Sequence, residues 1–405
     1  MTRTGDQALI KELNQSIVLN FLRFHSPISR AQISKRTGLN KATVSSIVDG
    51  LIEDGLVLEV GHGHTGVGRR PVLLDFNAAL GYAIGVDLGV DYLRMVVTDL
   101  SAKIISVSNV ECNLLDAPPA TSLSTISKLI QDVISSVPDS KLGVIGVGIG
   151  VPALVDYSRG IVLNAPNLKW YNVHLKAVLE NHLRLPVLVD NEANAGALGE
   201  KLFGSGRQVS DLVYISTGVG IGTGVIVRNE LVRGAHGVAG EFGHMTIEVN
   251  GLKCTCGNNG CLEMYASEKA LVNKYYHLTG KTVTGRDIIQ LLSDRDPSAL
   301  EAIQATARYL GVGISNLLNG LNPDLIIIGN RLSEAQESIL RPIEDVVKAR
   351  CFTMSYTNTR IEVSSLGRDA CAVGAASLIL HKYFESPLLN VNVEAKGKEI
   401  FIPSL

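Results

Sequence analysis

The chain opens with helical periodicity. From Gln7 to Phe24 the apolar positions Leu9, Ile10, Leu13, Ile17, Val18, Phe21 and Leu22 recur every three or four residues, which predicts one amphipathic helix. Ser26-Pro27 ends it. Ser29 is placed to cap a short helix over 30–37 with Ala31 and Ile33 inward, Gly38 supplies a tight turn, and Asn40 caps a further helix. In that helix Val44, Ile47, Val48, Leu51 and Ile52 share one face, while Lys41, Thr43, Ser45 and Ser46 occupy the other. An apolar run at 56–60, a Gly- and His-rich turn over 61–68, and Arg69-Arg70-Pro71 leading into Val72-Leu73-Leu74 then predict a two-stranded wing. A short helix, a glycine turn, a capped helix with polar donors in its first turn, and a wing make a winged helix-turn-helix.

From Gly81 the pattern becomes α/β. Residues 82–89 and 93–100 read as strand, tight turn, strand, followed by a helix over 123–134 and a buried strand over 142–151. The same device returns at 211–216, 217–223 and 224–228, which predicts an internal duplication around a cleft. Gly218-Val219-Gly220-Ile221-Gly222-Thr223-Gly224 is a poor dinucleotide fingerprint, because a strand rather than a helix follows it. A long helix over 300–321, a buried strand over 325–329 and a last helix over 370–383 complete the pattern. The expected division is a DNA-binding module over 1–76, a first α/β half over 80–200, a second half over 201–390, and a tail over 391–405.

Composition bounds the function. The 405 residues are 46% hydrophobic and 19% charged, enough for several cores and too apolar for long disorder. With no run of 18 uncharged apolar residues and no apolar leader at the N-terminus, the chain is expected to be cytoplasmic. A net charge of −2 excludes a uniformly basic nucleic-acid binder. Resolved by segment, however, residues 1–75 carry nine basic and seven acidic groups, leaving 28 against 32 in the remainder. Between Arg23 and Val48 stand Arg23, Arg30, Lys35, Arg36 and Lys41 with no acid, so the bias falls on the stretch that would meet phosphates. Arg30, Lys41, Thr43, Ser45, Ser46, Arg69 and Arg70 are therefore the candidate DNA contacts, with the arginines positioning the module and the helix start reading base edges. A three-helix cap with a solvated basic face is the alternative.

Three of the six cysteines lie within eight positions. His244 with Cys254, Cys256 and Cys261 offers one nitrogen and three sulfurs, the ligand set of a closed structural Zn2+ site that leaves no open position for water. The glycines at 257 and 260 allow the chain to wrap an ion. Cys112, Cys351 and Cys371 read as packing residues. Glu241 and Glu263 flank the cluster, and Asn167 and Asp190-Asn191-Glu192-Ala193-Asn194 lie upstream. Carboxylates and amides are the groups that hold sugar hydroxyls.

Gly240-Glu241-Phe242-Gly243-His244 followed by Cys254-Thr255-Cys256-Gly257-Asn258-Asn259-Gly260-Cys261-Leu262-Glu263 resembles the signature of the ROK family of sugar kinases and transcriptional repressors. The resemblance spans nearly the whole chain. With the added winged helix it points to the repressors, most of all those that answer to xylose. It implies an actin-like ATPase fold of two ribonuclease H-like halves, with Asn167, Asn191, Glu192, Glu241, His244 and Glu263 as sugar contacts. It also implies a homodimer on palindromic operator DNA.

Departures from the kinase pattern point away from catalysis. Asp87-Leu88-Gly89-Val90-Asp91-Tyr92 replaces a phosphate loop ending in lysine, and an acid at 91 would repel phosphates. Gly218-Val219-Gly220 lacks the usual threonine, and Gly329-Asn330 interrupts a glycine pair. The kinases' catalytic aspartate becomes Glu192, one methylene longer. An active sugar kinase, and a repressor answering to glucose or N-acetylglucosamine, remain the alternatives.

Overall fold

The computed structural model describes residues 7–62, 70–112, 117–235 and 237–384. Arg69, most of the wing turn and the tail over 391–405 lie outside them.

The N-terminal module folds from local signals. Helix α1 (Gln7–His25) is followed by β1 (Ile28–Ser29), α2 (Arg30–Thr37), α3 (Lys41–Glu53), β2 (Val57–His62) and β3 (Val72–Phe76). Ser29 caps α2 in a reciprocal pair with Gln32, Gly38 closes it in the left-handed region at φ 77°, and Asn40 accepts the Thr43 N–H at 2.8 Å. Val18, Leu22, Ile33, Val44, Val48, Leu51 and Leu74 form its buried centre. Two expectations need correction. Ala31 points to solvent, so of the expected pair only Ile33 is inward. The wing has a third strand, because the chain leaving Pro27 is extended and pairs Ile28 with Leu74, giving the order β1-β3-β2.

The body contains the expected duplication. Its first half runs β4 (Tyr82–Leu88), β5 (Tyr92–Asp99), β6 (Ile104–Glu111), α4 (Pro119–Ser136), β7 (Val144–Val151), β8 (Leu154–Asp156), β9 (Ile161–Ala165), β10 (Trp170–Val173), α5 (Leu175–Leu183), β11 (Val187–Asn191) and α6 (Glu192–Phe203). Its second half runs β12 (Leu212–Thr217), β13 (Ile221–Val227), β14 (Glu230–Leu231), α7 (Glu263–Ala266), α8 (Glu268–Thr279), α9 (Gly285–Ser293), α10 (Pro297–Leu321), β15 (Leu325–Gly329), α11 (Glu337–Arg350), α12 (Thr353–Asn358), β16 (Arg360–Val363) and α13 (Ala370–Phe384). The two large sheets have orders β11-β7-β4-β5-β6 and β14-β13-β12-β15-β16. Each is built on a central strand (β4 or β12) that pairs antiparallel with the next strand and parallel with a later one (β7 or β15).

The halves exchange their last helices. α6 and α13 pack on each other; of the strands, α6 meets chiefly β12 and β13 of the second sheet, and α13 lies across β4 and β7 of the first. Thus α13, in the stretch assigned to the second half, closes the first. Close approach makes this possible: a Cβ at Gly85 or Gly148 would overlap the carbonyls of Ala372 or Ala375. No helix among the described residues is long and apolar enough to cross a membrane.

Candidate ligand cleft and metal cluster

The turns at the carboxyl ends of the central strands face one cavity of about 340 Å³, lined from both halves. All six residues that the resemblance implied, Asn167, Asn191, Glu192, Glu241, His244 and Glu263, lie on its wall. Asn191 ends β11 and caps α6, its amide oxygen accepting the N–H groups of Ala193 and Asn194 and its Nδ2 donating to the Ala153 carbonyl at 3.1 Å. Its polar atoms thus serve the frame as well as the cavity. Glu263 starts α7 and accepts the Ile221 N–H at 3.1 Å, which ties it to the turn after β12.

Glu192 stands at the first position of α6 with its Oε2 buried and unpaired. Burial pushes its carboxyl up to about 8, and the neighbouring Glu241 and Asp87 carboxylates add to the rise. A protonated Glu192 donates a hydrogen bond rather than accepting a proton. Glu241 is likewise raised, chiefly by burial.

The sequence reading named Asp87 and Tyr92 only as part of an altered phosphate loop, and missed Arg331. Tyr92 lies over Gly89, where a Cβ would strike its ring, and its hydroxyl donates to Asp87 Oδ2 at 3.0 Å. Burial raises Asp87 to about 6 despite that bond and another from Cys371. Arg331 reaches the cavity from the second half while paired with Glu334 at 3.1 Å and Glu268 at 3.5 Å. Behind the wall Arg233 holds Asp190 at 2.7 Å and stacks on Tyr157. Asp190 was visible as one of an acidic and amide run; its arginine, 43 residues away, carried no local signal.

The expected metal ligands converge. The donor atoms of His244, Cys254, Cys256 and Cys261 lie within 4.8 Å of one another, with Cys256 Sγ 3.7 Å from Cys261 Sγ and Cys254 Sγ 3.6 Å from His244 Nδ1. These separations are far longer than a disulfide and match the edges of a tetrahedron with metal–sulfur bonds of about 2.3 Å. The other imidazole nitrogen, Nε2, faces Glu241 at 3.9 Å. The cluster can therefore hold one metal ion while one of its ligands touches the cavity wall.

On the module, Lys41 and Ser46 are exposed, Thr43 and Ser45 half-buried, and Arg70 exposed. Arg30 is engaged by Asp49 at 2.9 Å and Glu59 at 3.0 Å, clasping α2 to α3 and β2. Arg23, counted with the basic stretch, turns away from it and stacks on Phe384 of the body. Among the described residues, the basic groups of that stretch without an ion-pair partner are Lys35, Arg36 and Lys41.

Residues 83–382 match the ROK family model, and residues 12–66 match that of the MarR family. The chain belongs to the ROK family, with a MarR-like helix-turn-helix ahead of an actin-like body. It is 42% identical to the xylose repressor of Bacillus spizizenii over 94% of this chain and 98% of that one. Among solved structures it is similar to a ROK family transcriptional regulator homologous to the Mlc protein of E. coli, with a TM-score of 0.77, 28% identity and coverage of 93% and 97% of the two chains. A ROK glucokinase from Streptomyces griseus, solved with glucose and AMPPNP, has a TM-score of 0.68 and 33% identity, covering 74% of this chain and 99% of that one.

Proposed function

We propose that this protein is a sugar-responsive transcriptional repressor that binds a palindromic operator as a homodimer, is released by xylose, and does not phosphorylate it. The observation that carries the reading is a near full-length likeness to a xylose repressor, module and cleft together. In this reading Lys41, Thr43, Ser45 and Ser46 read bases, Arg70 and Arg69 grip phosphates, and Arg30 braces the reading helix. Asn167, Asn191, Glu192, Glu241, His244 and Glu263 hold the sugar. A structural zinc on His244, Cys254, Cys256 and Cys261 would fix the loop that aims Glu241, His244 and Glu263; thiolate-rich donors favour zinc over hard ions.

The absence of catalysis is supported by two residues. Tyr92 takes up the room over Gly89 in the first phosphate loop. Glu192, one methylene longer than the kinases' aspartate, has its carboxyl pushed up to about 8 by burial and is mostly protonated at neutral pH. Two paired recognition helices must meet half-sites about 34 Å apart or a multiple of it, so a small rotation on sugar binding loses the operator.

The test is fluorescence anisotropy of the protein on duplex DNA from its own promoter, titrated with D-xylose and with D-glucose. Release by xylose is expected. Release by glucose alone would move the inducer assignment, and release by neither would remove it.

A further inference from the structure

We infer that α13 is the mechanical link between the cleft and the winged module, and that Arg23 is the positioning residue at its far end. This rests on the repressor reading above and assigns the route by which the sugar acts.

The first turn of α13 stands at the cleft. Asp369, just before it, pairs with Arg94 of β5 at 2.6 Å. Cys371, in that first turn, lies beside Asp87, whose carboxyl lines the cavity and takes the Tyr92 hydroxyl. The helix then runs 15 residues, about 22 Å at 1.5 Å per residue. Along its length it is buried from Ala370 to Leu380. It is seated against Gly85 and Gly148 on one sheet and, through Gly374, against the Ala195 carbonyl of α6. A rod seated so closely on both sides moves as a unit or not at all.

Its last residue meets the module. The Arg23 guanidinium of α1 lies 3.8 Å from the Phe384 ring centroid, and Phe76 of β3 meets the same ring edge-on at 6.0 Å. Arg23 donates to Asn20 Oδ1 at 3.1 Å and to the Leu100 carbonyl at 3.4 Å, while its Nε is buried without a partner. Among the described residues no carboxylate pairs with it. Burial lowers its pKa to about 10, so holding a cation here works against its charge. An aliphatic side chain would fill the same place without that cost. What the guanidinium adds is a flat, orientable contact on an aromatic face, together with a hydrogen bond to the body. Leu19 and Leu56 of the module pack into the same cluster as Phe384. Displacement of α13 at Cys371 therefore reaches α1 directly.

The test uses the full-length protein, its promoter duplex and D-xylose, with Arg23→Met, Phe384→Leu and Phe384→Tyr. Anisotropy reads operator affinity with and without sugar, and the sugar-induced thermal shift reads sugar binding. In the wild type, xylose is expected to weaken operator binding about tenfold or more. Arg23→Met and Phe384→Leu should keep the thermal shift while the effect of xylose on the operator falls below about threefold; Phe384→Tyr, which keeps the ring, should respond like the wild type. The relay is overturned if the first two variants still release like the wild type. It is also overturned if Phe384→Tyr fails as they do, or if all three lose the operator with sugar binding intact. A wild-type complex that xylose does not release overturns the repressor reading itself, and the relay with it.

Discussion

The two turns at the centre of the duplicated sheets have parted ways. After β4, Gly89 is covered by Tyr92, whose hydroxyl is spent on Asp87. After β12, the turn at Gly218–Gly220 leaves room for Glu263, which is fixed by the Ile221 N–H and adjoins the Cys and His cluster. One turn is filled by the chain's own side chain, and the other is organised to present polar groups. Duplication sets the frame of a two-sided cleft; the residues hung on each turn decide which side can take a ligand.

The largest expected effect breaks the second turn. Cys256→Ser should lower metal content from about one ion per chain to near none by elemental analysis, because a closed structural site loses its geometry with one ligand. The xylose-induced thermal shift should vanish with it. Chelation of the wild type should give the same result.

Breaking the first turn should cost stability and leave sugar binding in place. Tyr92→Ala removes a ring packed on Gly89 and strands the Asp87 carboxyl, an expected loss of about 2–3 kcal/mol in urea unfolding. The thermal shift with xylose should persist. Loss of sugar binding in this variant would show that the two turns are not separable.

A pH series sharpens the contrast further. Glu192 has its folded pKa raised from an ordinary 4.5 to about 8, so the folded state binds the proton more tightly than the unfolded chain. Its favourable share is full below about 4.5 and is lost as pH rises towards 8. Glu192→Gln should remove that decline, measured as melting temperature between pH 5 and 8.5, about the range the shift spans.

The smallest effects lie outside the cleft. Arg70→Ala should reduce the salt dependence of operator binding by about one unit of slope, while Arg30→Ala leaves the slope unchanged. Removing the half-exposed Arg30 clasp should cost about 0.5 kcal/mol of stability.

What was legible in the sequence follows distance along the chain. The caps at Ser29 and Asn40 and the turn at Gly38 act over three or four residues, and their chemistry is written beside them. The candidate metal ligands span 244 to 261, and their donor types alone point to an ion. Cleft residues could be placed only by resemblance, since Asn167 and Glu263 come from opposite halves and converge beside Gly220 only in the folded chain. Tyr92 and Arg331 carry no local mark of their position, and Arg23 misled because a basic count cannot tell which way a helix faces. The exchange of α6 and α13 was equally hidden: alanine and glycine runs read as helix, not as the sheet they will cover.

The central claim is that one cleft binds a sugar and releases DNA without phosphoryl transfer. It is tested by titrating D-xylose into the protein–promoter complex in the presence of Mg-ATP, following anisotropy and ADP together. Loss of the complex with no sugar-dependent ADP is expected. Sugar-dependent ADP formation, or a complex that xylose leaves intact, would contradict it.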